Sequence, residues 1–119
     1  MKMDDYQNKA AEFAVYETLD YPLLALGEEV GELQGKVAKY VRKSGGNAHN
    51  ALADAINIPN DEAEYLRLDI VKEAGDVLWN LANLLNDLDL PLEAVAQMNI
   101  GKLESRKKRD VIVGEGDNR

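Results

Sequence analysis

LLALGEEVGELQGKVAKYVRK, residues 23–43, is the stretch whose reading decides the fold. Leu26, Val30, Leu33, Val37 and Val41 recur at steps of three and four, which draws one apolar stripe along an amphipathic helix. Tyr21-Pro22 marks the break before it, and Ser44-Gly45-Gly46-Asn47 stops it. Working outward, DEAEYLRLDIVKEAGDVLWNLANLLNDL, residues 61–88, carries a second long stripe at Leu66, Ile70, Ala74, Val77, Leu81, Leu84 and Leu88, with Asn60 or Asp61 as its cap. Upstream, Tyr6, Ala10, Phe13 and Ala14 predict a helix over Asp5 to Leu19. Downstream, Pro91 suits a first helical position, and a helix runs from it to Lys108. The stretch from Gly45 through Ile58-Pro59-Asn60 reads as a loop with a short helical piece at Ala51 to Ala55. No segment reads as a strand, and none repeats.

The expectation is an all-α four-helix bundle over residues 1–109, completed by self-association, with a C-terminal tail at 110–119 that is either disordered or orders over a ligand. Four helices of these lengths make a thin layer, so a homodimer or homotetramer is expected. A formal charge of −8 over 119 residues argues against nonspecific nucleic-acid binding, which needs a broad basic surface. Without cysteine, and with His49 as the one histidine, the chain has no thiol nucleophile and no Cys/His zinc set. No apolar run approaches membrane-spanning length, so a soluble cytoplasmic protein without a membrane partner is expected.

The acids are divided between the two long stripes. Helical rotation puts Glu29 at about −60° and Glu32 at about −120° from Leu26, with Glu28 farther out at about −160°. Glu73 and Asp76 fall at about −60° and −120° from Ile70 by the same rotation. Each helix therefore offers an acid pair at the edge of its buried face. Packed side by side, the two pairs can share one cleft, and such a set is costly unless it holds a hard cation such as Mg²⁺ or Mn²⁺. The plainer alternative is a solvated helical face, with Glu32 paired to Lys36 one turn on for about 0.2–0.5 kcal/mol. That alternative leaves Glu73 with Asp76 unexplained.

Lys102, Arg106 and Arg109 line one face of the last helix, beside Lys107 and Lys108. They can simply offset the helix dipole, or they can grip phosphate oxygens and so join a polyanionic substrate to an acid-bound cation. Gly27, Gly31 and Gly35 form a row suited to close approach by another helix. By rotation Trp79 stands opposite its helix's stripe, a candidate for subunit packing or base stacking. His49 reads as a solvated loop residue. Tyr6, Gln7 and Asn80 are candidates for recognising a base or sugar, although Tyr6 also fits its helix's apolar face.

Leu26-Gly27-Glu28-Glu29-Val30-Gly31-Glu32, followed by Lys72-Glu73-Ala74-Gly75-Asp76-Val77-Leu78-Trp79, resembles the EExxE…ExxD signature of MazG-like nucleoside triphosphate pyrophosphohydrolases. The ending, Asn99-Ile100-Gly101-Lys102-Leu103-Glu104-Ser105-Arg106 and then Gly114-Glu115-Gly116-Asp117-Asn118-Arg119, is similar to that of phage and bacterial members. Two departures stand out: a longer segment between Arg42 and Asp69, and Asp110 where a glycine is common. The resemblance implies Mg²⁺-dependent cleavage of a (deoxy)nucleoside triphosphate between its α and β phosphates, in the cytoplasm, the host's if the chain is phage-encoded. It implies metal ligands at Glu29, Glu32, Glu73 and Asp76, phosphate contacts at Lys102 and Arg106 with Arg109 beside them, and a carboxylate, Glu32 or Glu28, acting on the attacking water. Two alternatives stand beside it: a dUTP-type or house-cleaning diphosphatase of the same superfamily, and a non-catalytic helical oligomer that binds cations or nucleotides.

Overall fold

The computed structural model describes residues 1–18, 20–57 and 61–119. They form five helices: α1 (Met3–Ala11), α2 (Asp20–Ser44), α3 (Ala48–Asn57), α4 (Asp61–Asp87) and α5 (Leu92–Lys108). No strand occurs among the described residues. Pro22 sits in the first turn of α2, where a missing amide proton breaks no helical bond, so the helix begins before the expected Leu23. At the other end Gly45 takes φ 72° and returns its N–H to Val41, the left-handed stop that glycine makes without strain. The short piece expected at Ala51 to Ala55 is longer, because Asn47 Oδ1 accepts the Asn50 N–H at 2.9 Å and starts the helix early. Expectations placed on Leu19 and on Ile58 to Asn60 lie outside the described residues.

The antiparallel-capable pair α2 and α4 makes the main packing, with α3 laid against both. At the other end α1 and α5 pack against each other and against α4, while α5 does not reach α2. The compact core is there: Ala10, Ala82, Leu85 and Leu92 are buried, with Tyr6, Trp79, Leu81 and Val95 against them. Corrected by the structure, α1 ends at Ala11, well short of the expected Leu19. Phe13 is 62 % exposed, so its apolar spacing with Ala10 does not mark one continuous buried face. Instead the chain turns, and the Tyr16 hydroxyl donates to Asp87 Oδ2 at 2.6 Å.

Pro91 is the residue before α5, in extended backbone (φ −63°, ψ 131°), and gives no side-chain cap. The capping comes from α1: Gln7 Oε1 accepts the Leu92 N–H at 2.8 Å, and Asp4 Oδ1 accepts that of Glu93 at 3.1 Å. Gln7 Nε2 also donates to the carbonyls of Leu90 and Ala82, at 2.9 and 3.3 Å. This one amide therefore clasps three elements.

Outside that core the chain is open. Its accessible surface is 8788 Å², whereas a compact monomer of 13.2 kDa exposes about 6,400 Å². The radius of gyration is 17.5 Å, against about 13.5 Å for a compact chain of this length. Tyr65, Leu68, Val71 and Leu78 are exposed along α4, as are Leu23 and Leu24 on α2. The glycine row meets no close helix within the chain: a Cβ at Gly27, Gly31 or Gly35 would find nothing within 4 Å.

Candidate metal centre

Glu29 and Glu32 leave α2, and Glu73 leaves α4, on the sides where the two helices face each other. One carboxylate oxygen from each lies within 4.8 Å of the others. This is the convergence that helical rotation predicts for acids three apart beside a buried stripe. Glu73 is the most enclosed, with its side chain 12 % exposed, while Glu32 stands at the rim. Asp76, the fourth expected member, is exposed and falls outside this set of three. It is nonetheless close enough to act on Glu29 electrostatically.

Charge in the cluster is poorly balanced. Glu29's carboxyl is raised above its ordinary range, first by burial and then by Glu32, Asp76, Glu28 and Glu73 in turn. One ammonium approaches: Lys36 Nζ lies 3.7 Å from Glu73 Oε1. Rather than pairing with Glu32 on its own helix, Lys36 crosses to α4. Rotation about a single axis could not show this, because it does not say where the neighbouring helix's acid stands. The donor set is all oxygen, which suits a hard divalent cation.

The expected phosphate residues are on α5, where they engage the tail. Arg106 is 5 % exposed, and its guanidinium donates to the carbonyls of Asp117 at 2.7 Å and Gly116 at 3.4 Å. Asp117's carboxylate stands 3.5 Å from the same nitrogen and 3.6 Å from Lys102 Nζ. Arg109 donates to the Arg119 carbonyl at 2.8 Å and to Ser105 Oγ at 3.2 Å. The tail thus orders over α5 itself. Among the described residues none of these cations pairs with the acidic cluster. Asp110 opens the tail at φ 57°, the left-handed region that glycine adopts without strain.

Of the residues expected to meet a base or sugar, Gln7 and Asn80 are interior. Gln7 is the clasp described above. Asn80 is 3 % exposed and donates to the Asp76 carbonyl at 2.9 Å, leaving its buried Oδ1 without a partner among the described residues. Tyr6 is half-buried against the core, and its phenol is raised by burial and then by Asp76, which places it beside the acids. Trp79 is turned inward, contrary to the rotational reading: its indole N–H donates to the Ala10 carbonyl at 3.2 Å and its ring meets Tyr16 edge-on. The reading failed because α4 buries two faces, one on α2 and another on α1. His49 is exposed, as expected.

The sequence pattern of the MazG nucleotide pyrophosphohydrolase domain matches residues 17–111. The chain belongs to the MazG family. The match spans α2 to α5, both halves of the acidic cluster included, and leaves α1 outside it. A relative, the Gene 37 protein of Mycobacterium phage L5, is 39 % identical over 128 aligned positions, covering 100 % of each chain. No solved structure matches this MazG chain. As in the family, the fold is all-helical, and no helix among the described residues is long and apolar enough to cross a membrane.

Proposed function

We propose that the chain is a Mg²⁺-dependent nucleoside triphosphate pyrophosphohydrolase that converts a (deoxy)nucleoside triphosphate and water into the monophosphate and pyrophosphate. The observation that carries this is the convergence of Glu29, Glu32 and Glu73 with so little counter-charge, in a chain of a nucleotide pyrophosphohydrolase family. Their oxygens would hold the cation, with Asp76 completing the set. When bound, Mg²⁺ supplies charge neutralisation at the phosphates and a more acidic water. Glu32, at the rim, or Glu28, exposed one turn before it, would orient that water and accept its proton. Glu73, the most enclosed, fixes the position of the site relative to α4.

The working unit is a homo-oligomer, a dimer or a dimer of dimers. The chain exposes roughly 2,400 Å² more than a compact monomer would, which is on the scale an obligate homodimer buries. Exposed apolar side chains of α4 and the bare glycine row of α2 are surfaces that a second copy would cover. Sedimentation velocity over a range of concentrations is expected to give a dimer or larger, and a persistent monomer contradicts this assignment.

Product analysis after incubation with a panel of (d)NTPs and Mg²⁺ tests the reaction. Monophosphate and pyrophosphate in equal amounts are expected, from a cytoplasmic pool of canonical or aberrant nucleotides. Release of orthophosphate would overturn the reading. Metal binding without turnover of any nucleotide would make the chain a binding module instead.

A further inference from the structure

Lys102 and Arg106 stand four residues apart, on one face of α5. The tail comes back over that face by way of Gly116, whose φ of 82° is open to glycine and strained for other residues. The next residue, Asp117, is set down beside both cations. Its Oδ1 stands 3.6 Å from Lys102 Nζ and 3.5 Å from Arg106 Nη2, so one carboxylate oxygen bridges two positive charges.

The tail holds Arg106 by two contacts of unequal strength. The Asp117 carbonyl accepts from Nη2 at 2.7 Å, a full hydrogen bond at a guanidinium that is 5 % exposed. Asp117's carboxylate is farther from both of its partners than a charge-assisted hydrogen bond, which runs to about 2.7–2.9 Å. It also stands in water: its side chain is 87 % exposed, and that of Lys102 is 42 % exposed. An ion pair so placed contributes little, because solvent screens it and fixing its side chains costs entropy. The carbonyl anchors the tail's backbone, whereas the carboxylate can swing out about its own side-chain bonds and leave that backbone where it is. An ammonium and the edge of a guanidinium then remain, able to take separate oxygens of one phosphate group.

We propose that Asp117 is a resident competitor: its carboxylate occupies the oxyanion site formed by Lys102 and Arg106, and a phosphate group of the substrate has to displace it. This rests on the reading above, in which the substrate is a nucleoside triphosphate. The exchange makes and breaks no covalent bond. A carboxylate leaves two cations for water, and a phosphate takes its place. The contact lowers the affinity of every competing anion by one common factor. It thereby leaves weakly held anions unbound and raises the substrate concentration at which the site fills.

Calorimetric titration of the full chain with inorganic pyrophosphate, with a chelator present and no divalent metal, confines the test to the cations. Asp117→Asn is expected to bind pyrophosphate about fivefold more tightly than the parent, and Lys102→Gln to bind it more weakly than the parent. Glu115→Gln removes the same charge from the same tail, from a residue that pairs with neither cation, and is expected to match the parent. Limited proteolysis should cut the tail of Asp117→Asn no faster than that of the parent, because the carbonyl bond to Arg106 remains. Unchanged or weaker pyrophosphate affinity in Asp117→Asn overturns the proposal and makes the carboxylate a support for the two cations. So does unchanged affinity in Lys102→Gln, an equal gain in Glu115→Gln, which would be an effect of net charge, or a tail that Asp117→Asn loosens. Tighter binding by Asp117→Asn in a chain whose parent hydrolyses no nucleoside triphosphate overturns the reaction and leaves the competitor standing.

Discussion

The carboxylates between α2 and α4 and the cations beneath the C-terminal tail are two dense charge clusters that the fold treats differently. Around Arg106 the acceptors come from the chain itself: two carbonyls and a carboxylate close over a guanidinium that is 5 % exposed. Around Glu29 the neighbours are four more acids, and Lys36 reaches only Glu73. Arg106's Nε is left without a partner among the described residues, but Nη2 is held by the tail, and a charge engaged this way within the folded chain is there to hold the chain. A charge left in like-sign company costs stability, and its natural partner is something that binds. Removing one member of each cluster should therefore move stability in opposite directions.

The largest expected effect is on turnover. Glu29→Gln and Glu73→Gln should each lower pyrophosphate release by about 10³-fold or more, the equivalent of losing several kcal/mol of charge stabilisation, with helicity by circular dichroism unchanged. Retained activity in either variant would break the contrast. Second, Mg²⁺ at one hundred times its dissociation constant should stabilise the parent by about 2.7 kcal/mol in urea unfolding and leave Glu29→Gln unmoved. Without metal the sign reverses. A carboxyl whose pKa is higher folded than unfolded opposes folding only when ionised. The metal-free parent should thus gain stability as pH falls from neutral into the carboxylate range, and Glu29→Gln should be the more stable protein at neutral pH.

Third, Arg106→Met should destabilise by about 2 kcal/mol, because it leaves the Asp117 carbonyl without its donor and the Gly116 carbonyl with Arg119 alone, and the tail should become sensitive to protease. An unchanged urea midpoint would mean that the cluster on α5 does not hold the fold. The smallest effect belongs to Tyr16→Phe, which loses the hydrogen bond to Asp87 for about 1 kcal/mol. Burial and then Asp87 raise this phenol well above its usual range. Its contribution is therefore full below the ordinary phenol value and lost as pH rises past it, and the variant should show a flatter alkaline limb.

The sequence was most legible where one helix explains itself. Most of the α2 and α4 stripes, the glycine stop at Gly45 and the facing of Glu29, Glu32 and Glu73 follow from period and rotation, although Val30, Ala74 and Leu88 are exposed and Leu88 lies beyond α4. What was not legible depends on two or three elements at once. The inward turn of Trp79, the crossing of Lys36 to Glu73, the early end of α1 and the engagement of Lys102 and Arg106 by the tail are set by neighbours that no local pattern names. Family resemblance supplied residue positions on α5 but not their contacts within this chain.

Gln7 carries a consequence for how the protein is made. Its three hydrogen bonds reach Ala82, Leu90 and Leu92, which lie 75, 83 and 85 residues downstream. A helix of nine residues is too short to persist alone in water. On the ribosome, then, α1 is made long before the partners of Gln7, and that clasp closes only once the turn between α4 and α5 has left the exit tunnel. Nascent chains stalled before Leu92 should expose Met3–Ala11 to protease, and chains released beyond it should protect that segment together with the start of α5.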